Sequence, residues 1–257
     1  MNDPIIIIGM GEIGSVLARG LLRAGHPVYP VTRSMMLSEA HRINPEPMAV
    51  VLAVGEAQLQ DCLRDMPDPW RNKLILLQNE LLPRDWENHN LTAPTIMSVW
   101  FEKKKGMDSK PLLPSPVFGH HAGLVCTAMQ MLDLPTREVL NMEAMTWELV
   151  RKNVYILTTN IAGLAVGGTV DELWQKHETL ARDIACEVIQ LQQALTGLNF
   201  DTESLIQGML EGFNGDPAHK CMGRSAPARL KRALDLMQKY DISAPTMQKI
   251  ATECASS

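Results

Sequence analysis

The amino-acid sequence predicts an α/β fold, with a doubly wound parallel sheet at residues 1–140 and an all-helical domain at residues 141–257. The first observation is the run Ile5–Ile8, which is apolar on both faces, as a central parallel strand covered on both sides requires. The second is a change of pattern near Thr136, after which helical spacing replaces strand-like segments. The two halves favour two domains, with the binding cleft expected between them.

The N-terminal half alternates strand patterns with helical ones, which is the order of a doubly wound sheet. One helix follows the first strand and ends at Gly25, and another passes through Leu59 and Leu63 and is closed by Pro67 and Pro69. The predicted strands are Ile5–Ile8, Pro27–Thr32, Met48–Val54, Lys73–Leu77, Thr95–Phe101 and Pro116–Gly119.

The C-terminal half shows helical patterns almost throughout. The predicted helices are Arg137–Leu149, Val150–Val166, Val170–Thr196, Ser204–Glu211, Arg229–Tyr240 and Ala244–Glu253. The helix that contains Lys152 has no charged residue between that lysine and Gly168, so we expect a buried helix between the two domains.

Charge and composition argue against several classes of partner. With 24 basic and 29 acidic residues the net charge is −5, so no basic field is available to hold nucleic acid. The apolar run after the N-terminus ends at Gly9, which is too short for a membrane span or a signal sequence. Five cysteines without CxxC pairs indicate neither a disulfide framework nor a zinc site, so a cytoplasmic location is expected.

Two adjacent histidines, His120 and His121, are the most obvious candidates for metal ligands. Neighbouring side chains diverge, and no acidic or cysteine partner stands at metal-ligand spacing. No metal site is therefore expected, and the pair is assigned to a loop or turn.

A glycine-rich turn follows the first strand and opens the first helix; it reads Gly9-Met10-Gly11-Glu12-Ile13-Gly14. Gly9 allows the tight turn, Gly11 lets the backbone approach a pyrophosphate, and Gly14 permits close packing of helix on strand. The helix N-terminus would face the phosphates. The motif in this setting predicts a Rossmann-type dinucleotide-binding domain; a tight turn without a cofactor is the alternative.

The end of the second strand distinguishes the two nicotinamide cofactors. An NAD site usually has a carboxylate there for the ribose 2′-hydroxyl, whereas this chain has Thr32, Arg33 and Ser34. Arg33 can pair with a 2′-phosphate and the two hydroxyls can donate hydrogen bonds. NADP(H) is the predicted cofactor, and a solvated arginine at a strand end is the alternative.

Asn79 follows the fourth strand, at the edge of the sheet where such folds bind ligands. It is a candidate for contact with the nicotinamide ribose or the substrate. An asparagine that caps the next turn explains the residue equally well.

Lys152 and Asn160 lie about 80° apart on a helix, at about 100° per residue, and therefore share one broad face. Polar groups on a buried helix require partners or a cleft. A lysine that reaches solvent from a helix start is the simpler explanation of Lys152. The basic cluster Arg224, Arg229, Lys231 and Arg232 could hold a substrate carboxylate, although the solvated face of a helix is the favoured explanation.

The chain resembles the ketopantoate reductase family of 6-phosphogluconate-dehydrogenase-like enzymes over nearly its whole length. The motifs that carry the resemblance are, in order, the glycine turn, Arg33, Gln78-Asn79, and Trp147-Glu148-Leu149 leading into Lys152 and Asn160. The resemblance implies NADP(H), Lys152 as catalytic acid, and Asn79 and Asn160 as substrate-binding residues, with Asn79 also touching the cofactor. It also implies a homodimer formed by the helical domain.

Several positions depart from that family's pattern. Ile156 stands where the family has an asparagine, Glu80 where it commonly has glycine, and Val54-Gly55-Glu56-Ala57 where it has a lysine. A C-terminal Ser-Ser-Met segment is replaced by Lys220-Cys221-Met222, and the substrate-binding glutamate that follows it is missing. These departures fall mainly on the substrate side.

The sequence therefore predicts an NADPH-dependent reductase of a small carbonyl compound, a 2-oxo acid or similar. A different class, a non-catalytic NADP-binding sensor or scaffold with a decayed substrate site, is the alternative. A third possibility is a related dehydrogenase that acts on an imine or a 3-hydroxy acid.

Overall fold

The computed structural model describes residues 3–255. The strands are β1 (Ile5–Ile8), β2 (Val28–Val31), β3 (Ala49–Leu52), β4 (Leu74–Leu76), β5 (Thr95–Met97), β6 (Phe101–Glu102), β7 (Lys110–Pro111), β8 (Ser115–Phe118) and β9 (Thr136–Glu138). The helices are α1 (Glu12–Arg23), α2 (Leu37–Ile43), α3 (Leu59–Arg64), α4 (Pro83–Glu87), α5 (Ala122–Gln130), α6 (Met142–Val166), α7 (Val170–Thr196), α8 (Thr202–Gly215), α9 (Ala226–Lys239) and α10 (Pro245–Ala255).

The main sheet has seven strands in the order β2-β1-β3-β4-β5-β8-β9. The first five are parallel, and Ile8 at the end of β1 lies between Val31 of β2 and Leu52 of β3. The predicted doubly wound, Rossmann-type sheet is therefore confirmed. It is extended by β8, which runs antiparallel to β5, and by β9, which is parallel to β8.

Both faces of the parallel strands are covered, as the apolar runs predicted. Ile5 and Ile7 pack in a core formed with α1 and α5. On the other face, the short 3₁₀ segment Asp68–Lys73 contacts β3 and contributes the fully buried Trp70. The sequence analysis did not predict α5, a helix of small residues that packs closely on α1. A Cβ at Gly20 of α1 would lie 2.3 Å from the carbonyl oxygen of Ala128.

Three predicted boundaries are wrong. The segment Thr95–Phe101 is not one strand, because the chain leaves the sheet after Met97 and Phe101–Glu102 pairs with β7 instead. Thr136–Glu138 is a strand and not the start of a helix, since pairing with β8 outweighs the local pattern of three partly exposed residues. The helices predicted at 137–149 and 150–166 form one helix, α6, because no proline or glycine interrupts the sequence between them.

The chain divides into two compact units, Met1–Glu148 and Leu149–Ser257, with the division inside α6. The predicted boundary, between residues 140 and 141, precedes that helix. In the second unit α7 packs against α8, α9 and α10. The N-terminus of α7 is capped by Thr169 and Glu172, and Gly197 is its C-cap.

Within residues 3–255, none of the helices combines the length and the apolar character that a membrane span requires. The five cysteines are free thiols: Cys62, Cys126, Cys186, Cys221 and Cys254.

Candidate functional site

The glycine turn lies directly after β1 and has the geometry that its sequence predicts. Gly9 has φ of +95°, and a Cβ there would lie 2.7 Å from the Ala53 carbonyl oxygen. A Cβ at Gly14 would lie only 2.0 Å from the carbonyl oxygen of Gly9. Gly11 is different, because a Cβ there would meet nothing within 4 Å. Two glycines are thus required by the fold itself, while Gly11 keeps the backbone open to a ligand.

Helix α1 begins at Glu12, with Gly11 at its N-cap and no side-chain cap. Its first amide groups therefore point outward with a partial positive charge, which suits a phosphate. Met10 and Glu12 are exposed, and Ile13 is half-buried. The carboxylate of Glu12 lies 3.7 Å from the ammonium of Lys103, so its own charge is partly balanced.

Thr32, Arg33 and Ser34 follow β2 and are all exposed. Because β2 pairs in parallel with β1, these residues lie at the same edge of the sheet as the glycine turn. The hydroxyl oxygens of Thr32 and Ser34 are 3.1 Å apart. One guanidinium and two hydroxyls at this position suit a phosphate better than a neutral hydroxyl.

Gln78 and Asn79 extend the same edge at the end of β4. The buried Gln78 amide donates to the carbonyl oxygens of Leu52 and Val54, which joins the end of β4 to the end of β3. Asn79 Nδ2 donates to Glu56 Oε1 at 3.2 Å. The Asn79 side chain thus contacts Glu56 and does not cap the turn that follows.

Glu80 has φ of +62°, a left-handed conformation that glycine adopts more easily. The resemblance places a glycine at this position. The backbone therefore keeps the conformation that suits glycine, at some cost in strain.

Lys152 lies well inside α6 and is half-buried, so its predicted place at a helix start is wrong. Its Nζ lies 5.3 Å from the centre of the Tyr155 ring. Burial, together with the positive charges of Arg229 and Arg151, lowers the pKa of Lys152 from 10.5 to about 7. A lysine with such a pKa can donate and accept a proton near neutral pH.

Asn160 is 7% exposed, and its Oδ1 accepts a hydrogen bond from Arg229 Nη1 at 2.9 Å. Its Nδ2 is within reach only of the Thr159 hydroxyl, at the long distance of 3.5 Å, among the residues that the structure describes. Arg229 is also 7% exposed. Asn160 and Arg229 therefore form a hydrogen-bonded pair in the second unit, and Arg229 lies close enough to Lys152 for its charge to lower the pKa of that lysine.

The structure divides the predicted basic cluster. Arg229 faces the protein interior, whereas Arg224 and Lys231 are exposed and Arg232 is half-buried. Lys231 pairs with Asp235 on the surface at 3.1 Å. The solvated face thus explains Arg224 and Lys231, whereas the binding of a substrate carboxylate by Arg229 stays a prediction. Helical spacing could have separated them, since Arg229 lies on the same face of α9 as the buried Ala226, Ala233 and Met237.

Sequence analysis missed two further polar residues of α6, which join it to other helices. Arg151 donates to the Gly208 carbonyl oxygen at 2.9 Å and pairs with Glu211 at 2.6 Å. Asn153 donates to the Gln192 side chain at 2.9 Å. Ile156, where the resemblance places an asparagine, is half-buried. Glu56 was also missed; its signal was a charged residue four positions after the end of the buried strand β3.

His120 and His121 lie in the turn before α5, with their rings 4.8 Å apart. The His121 amide donates to the Thr95 hydroxyl at 2.9 Å. Burial and the neighbouring His120 lower the pKa of His121. These contacts are those of a turn.

Comparison with known proteins gives matches at the level of structure. No protein-family model and no curated protein matches the sequence. The 2-dehydropantoate 2-reductase of Methylococcus capsulatus aligns with 97% of this chain and 94% of its own, at 14% identity and a TM-score of 0.70. The dimeric ketopantoate reductase of Staphylococcus aureus aligns with 98% of both chains, at 15% identity and a TM-score of 0.62.

A D-mandelate dehydrogenase solved as a complex with NADH also aligns, over 98% of this chain and 97% of its own. Its identity is 15% and its TM-score is 0.68. At these identities the likeness establishes the fold. The chain has the fold of the ketopantoate reductases, a mostly parallel α/β domain followed by a helical domain, as its motifs predicted.

Proposed function

We propose that the protein is an NADPH-dependent reductase of a small carbonyl compound, a 2-oxo acid or a close analogue. The observation that carries the proposal is the glycine turn, in which Gly9 and Gly14 admit no side chain and Gly11 leaves the backbone open. That cradle fits a pyrophosphate at the N-terminus of α1. The fold shared with enzymes named as 2-dehydropantoate 2-reductase and D-mandelate dehydrogenase supports the reaction class.

The residues that would hold the cofactor lie at the carboxyl edge of the sheet. The turn Gly9–Gly14, including Met10, Glu12 and Ile13, would bind the pyrophosphate, and Thr32, Arg33 and Ser34 would bind the 2′-phosphate. When bound, NADPH supplies a hydride to the carbonyl carbon of the substrate.

Lys152, Asn160 and Arg229 are the proposed substrate residues. In its ammonium form Lys152 donates a hydrogen bond to the carbonyl oxygen and gives up its proton as negative charge develops on that oxygen. Asn160 offers Nδ2, because its oxygen is held by Arg229. Ammonium, guanidinium and amide N–H groups are all donors, so this cluster suits an anionic substrate such as a 2-oxo acid.

The proton donor must carry its proton before the reaction. With a pKa of about 7, Lys152 loses its proton as the pH rises above neutrality. We therefore expect kcat/KM for carbonyl reduction to fall above about pH 7.

Thermal unfolding in the presence of NADPH or NADH is the first test. A cofactor at 100 times its Kd adds about 2.7 kcal/mol to the free energy of unfolding. NADPH is expected to stabilise the protein more than NADH does, and Arg33→Ala should remove that difference. If neither cofactor stabilises the protein, the proposal is wrong; if NADH is preferred, the role of Arg33 is wrong.

Oxidation of NADPH with a panel of 2-oxo acids and their methyl esters is the second test. The acids are expected to react and the esters to react more slowly, since the esters lack the carboxylate. Cofactor binding without turnover across the panel would instead indicate the non-catalytic sensor or scaffold. Ile156, at the position of a lost asparagine, favours that second candidate.

We also propose that the protein is a homodimer. The structurally similar S. aureus enzyme is described as dimeric. Light scattering coupled to gel filtration tests this, and a mass of about 28.5 kDa, that of one chain, would contradict it.

A further inference from the structure

A hydrogen-bonded pair, Glu56 and Asn79, lies at the edge of the sheet beyond the glycine turn. Glu56 opens the short helical turn Glu56–Gln58 after β3, and Asn79 follows β4. Both side chains are half-buried, and Glu56 Oε1 accepts from Asn79 Nδ2 at 3.2 Å. Because β3 and β4 are adjacent and parallel, their carboxyl ends bring the two residues together.

The chemistry of this pair determines which way the asparagine amide faces. A carboxylate can only accept hydrogen bonds, whereas an amide has a donor nitrogen and an acceptor oxygen. The nitrogen must therefore face Glu56, and the oxygen is directed away from it. Within residues 3–255, the hydrogen bond to Glu56 is the only one that the Asn79 side chain makes. Its Oδ1 is thus available to accept from a ligand.

The order of the strands indicates which part of a dinucleotide lies here. The pyrophosphate would lie at the end of β1 and the adenosine phosphate at the end of β2. The other nucleoside then extends in the opposite direction, across the ends of β3 and β4. A nicotinamide nucleoside offers hydrogen-bond donors, namely its ribose hydroxyls and its carboxamide N–H.

We infer that Glu56 is a positioning residue, which holds Asn79 so that Oδ1 accepts a hydrogen bond from the nicotinamide nucleoside. The inference rests on the proposed function, because it requires the cofactor. The carboxylate of Glu56 by itself repels the phosphates of NADPH. A purely electrostatic role therefore predicts tighter binding once the charge is removed, whereas a positioning role predicts weaker binding.

The first experiment measures Kd for NADPH and for 2′,5′-ADP, which lacks the nicotinamide nucleoside. Glu56→Gln is expected to weaken NADPH binding about three- to tenfold, because a glutamine amide can pair with either end of Asn79. Binding of 2′,5′-ADP should not change. Glu56→Asp, which keeps an acceptor-only side chain, should recover part of the loss, and Glu87→Gln at an exposed site should have no effect.

A double-mutant cycle tests whether Glu56 acts through Asn79. In an Asn79→Ala background, Glu56→Gln should cause no further loss of NADPH affinity. The 3-acetylpyridine analogue of NADP⁺, which lacks the carboxamide N–H, identifies the donor. If the effect of Glu56→Gln disappears with this analogue, the donor is the carboxamide; if it persists, the donor is a ribose hydroxyl.

The inference is overturned if Glu56→Gln leaves the affinity for NADPH unchanged or increases it. It is also overturned if the substitution weakens the binding of 2′,5′-ADP to the same extent as the binding of NADPH. The last result would mean a general disturbance of the fold. If the parent protein binds neither NADPH nor NADH, the proposed function itself fails, and the inference fails with it. The parent measurement thus separates the two failures.

Discussion

Two asparagines, one in each unit, are held in opposite orientations by charged neighbours. In the first unit Glu56 accepts from the Asn79 nitrogen and leaves its oxygen available. In the second unit Arg229 donates to the Asn160 oxygen, and the Asn160 nitrogen has only a long contact, of 3.5 Å, with the Thr159 hydroxyl. Towards a ligand, Asn79 can therefore accept a hydrogen bond and Asn160 can donate one. The sign of the neighbouring charge decides which end of each amide that neighbour engages.

The two units also differ in how their sites are built. At the edge of the sheet, the backbone supplies most of the proposed binding groups, through the glycine turn and the N-terminus of α1. In the helical unit, side chains from α6 and α9 supply all the proposed groups. The proposed site at the sheet edge depends on close approach of the ligand to the backbone, and the proposed site in the helical unit depends on the charge of its side chains. The variants below test each dependence.

The largest effect is expected from Lys152→Met, which removes the proposed proton donor. Loss of general acid catalysis should lower kcat for carbonyl reduction by about 10²- to 10⁴-fold. The Kd for NADPH, measured by fluorescence, should not change. Lys152→Arg is the matched control, because it keeps the charge but holds its proton too tightly to donate it. Full turnover by the methionine variant would show that Lys152 has no catalytic role.

The next effect concerns the glycine turn and compares two substitutions. Gly14→Ala introduces a Cβ within 2.0 Å of a carbonyl oxygen, so α1 must shift. We expect a loss of about 3 kcal/mol or more in the free energy of unfolding and at least tenfold weaker NADPH binding. Gly11→Ala should leave stability within about 0.5 kcal/mol, since its Cβ meets open space, yet weaken NADPH binding.

These glycine variants are measured by urea unfolding and by cofactor titration. Equal stability of the two variants would contradict the packing role of Gly14. Unchanged NADPH affinity in Gly11→Ala would contradict the approach of a pyrophosphate to that backbone.

Arg229→Gln tests the charge of the helical unit while keeping a donor for Asn160. The KM for a 2-oxo acid should rise about tenfold, because a charge-assisted hydrogen bond is lost. Arg229 also lowers the pKa of Lys152, so its removal should raise that pKa. The fall of kcat/KM at alkaline pH should therefore shift to higher pH. Arg224→Gln, at an exposed site, is the control. An unchanged pH profile of kcat/KM in Arg229→Gln would contradict the proposed effect of Arg229 on the pKa of Lys152.

A smaller effect is expected on stability, and it distinguishes a functional lysine from a structural one. The pKa of Lys152 is about 7 in the folded protein and near its ordinary value in the unfolded chain. At pH 7 and below, the folded state therefore holds an unfavourable charge on the half-buried Lys152, and this cost declines as the pH rises towards 10. Lys152→Met should be more stable than the parent by about 2 kcal/mol at pH 6.5.

The difference in the free energy of unfolding between Lys152→Met and the parent protein should shrink steadily between pH 7 and pH 10 in urea unfolding experiments. A methionine variant that is less stable than the parent at pH 6.5 would show that Lys152 is held by favourable contacts. A variant that is more stable but inactive would show that the lysine is kept for function at a cost in stability.

Much of the fold could be predicted from local patterns. The doubly buried β1, the glycine turn and helix α1 were identified, because their signals lie within about 20 consecutive residues. Strand β9 was missed, since three partly exposed residues become a strand only by pairing with β8. The continuity of α6 was also missed, because helical periodicity does not show whether two adjoining segments share one axis.

The sequence by itself determined the strand–turn–helix unit, because that unit depends on residue type and short spacing, and from it the sequence predicts the cofactor. It also placed Lys152, Asn79 and Asn160 as candidates. Only the tertiary structure decided how the two asparagines face, since Glu56 lies 23 positions from Asn79 and Arg229 lies 69 positions from Asn160. Hydrogen-bond direction depends on which partner folding brings within about 3 Å, and sequence spacing carries no such information.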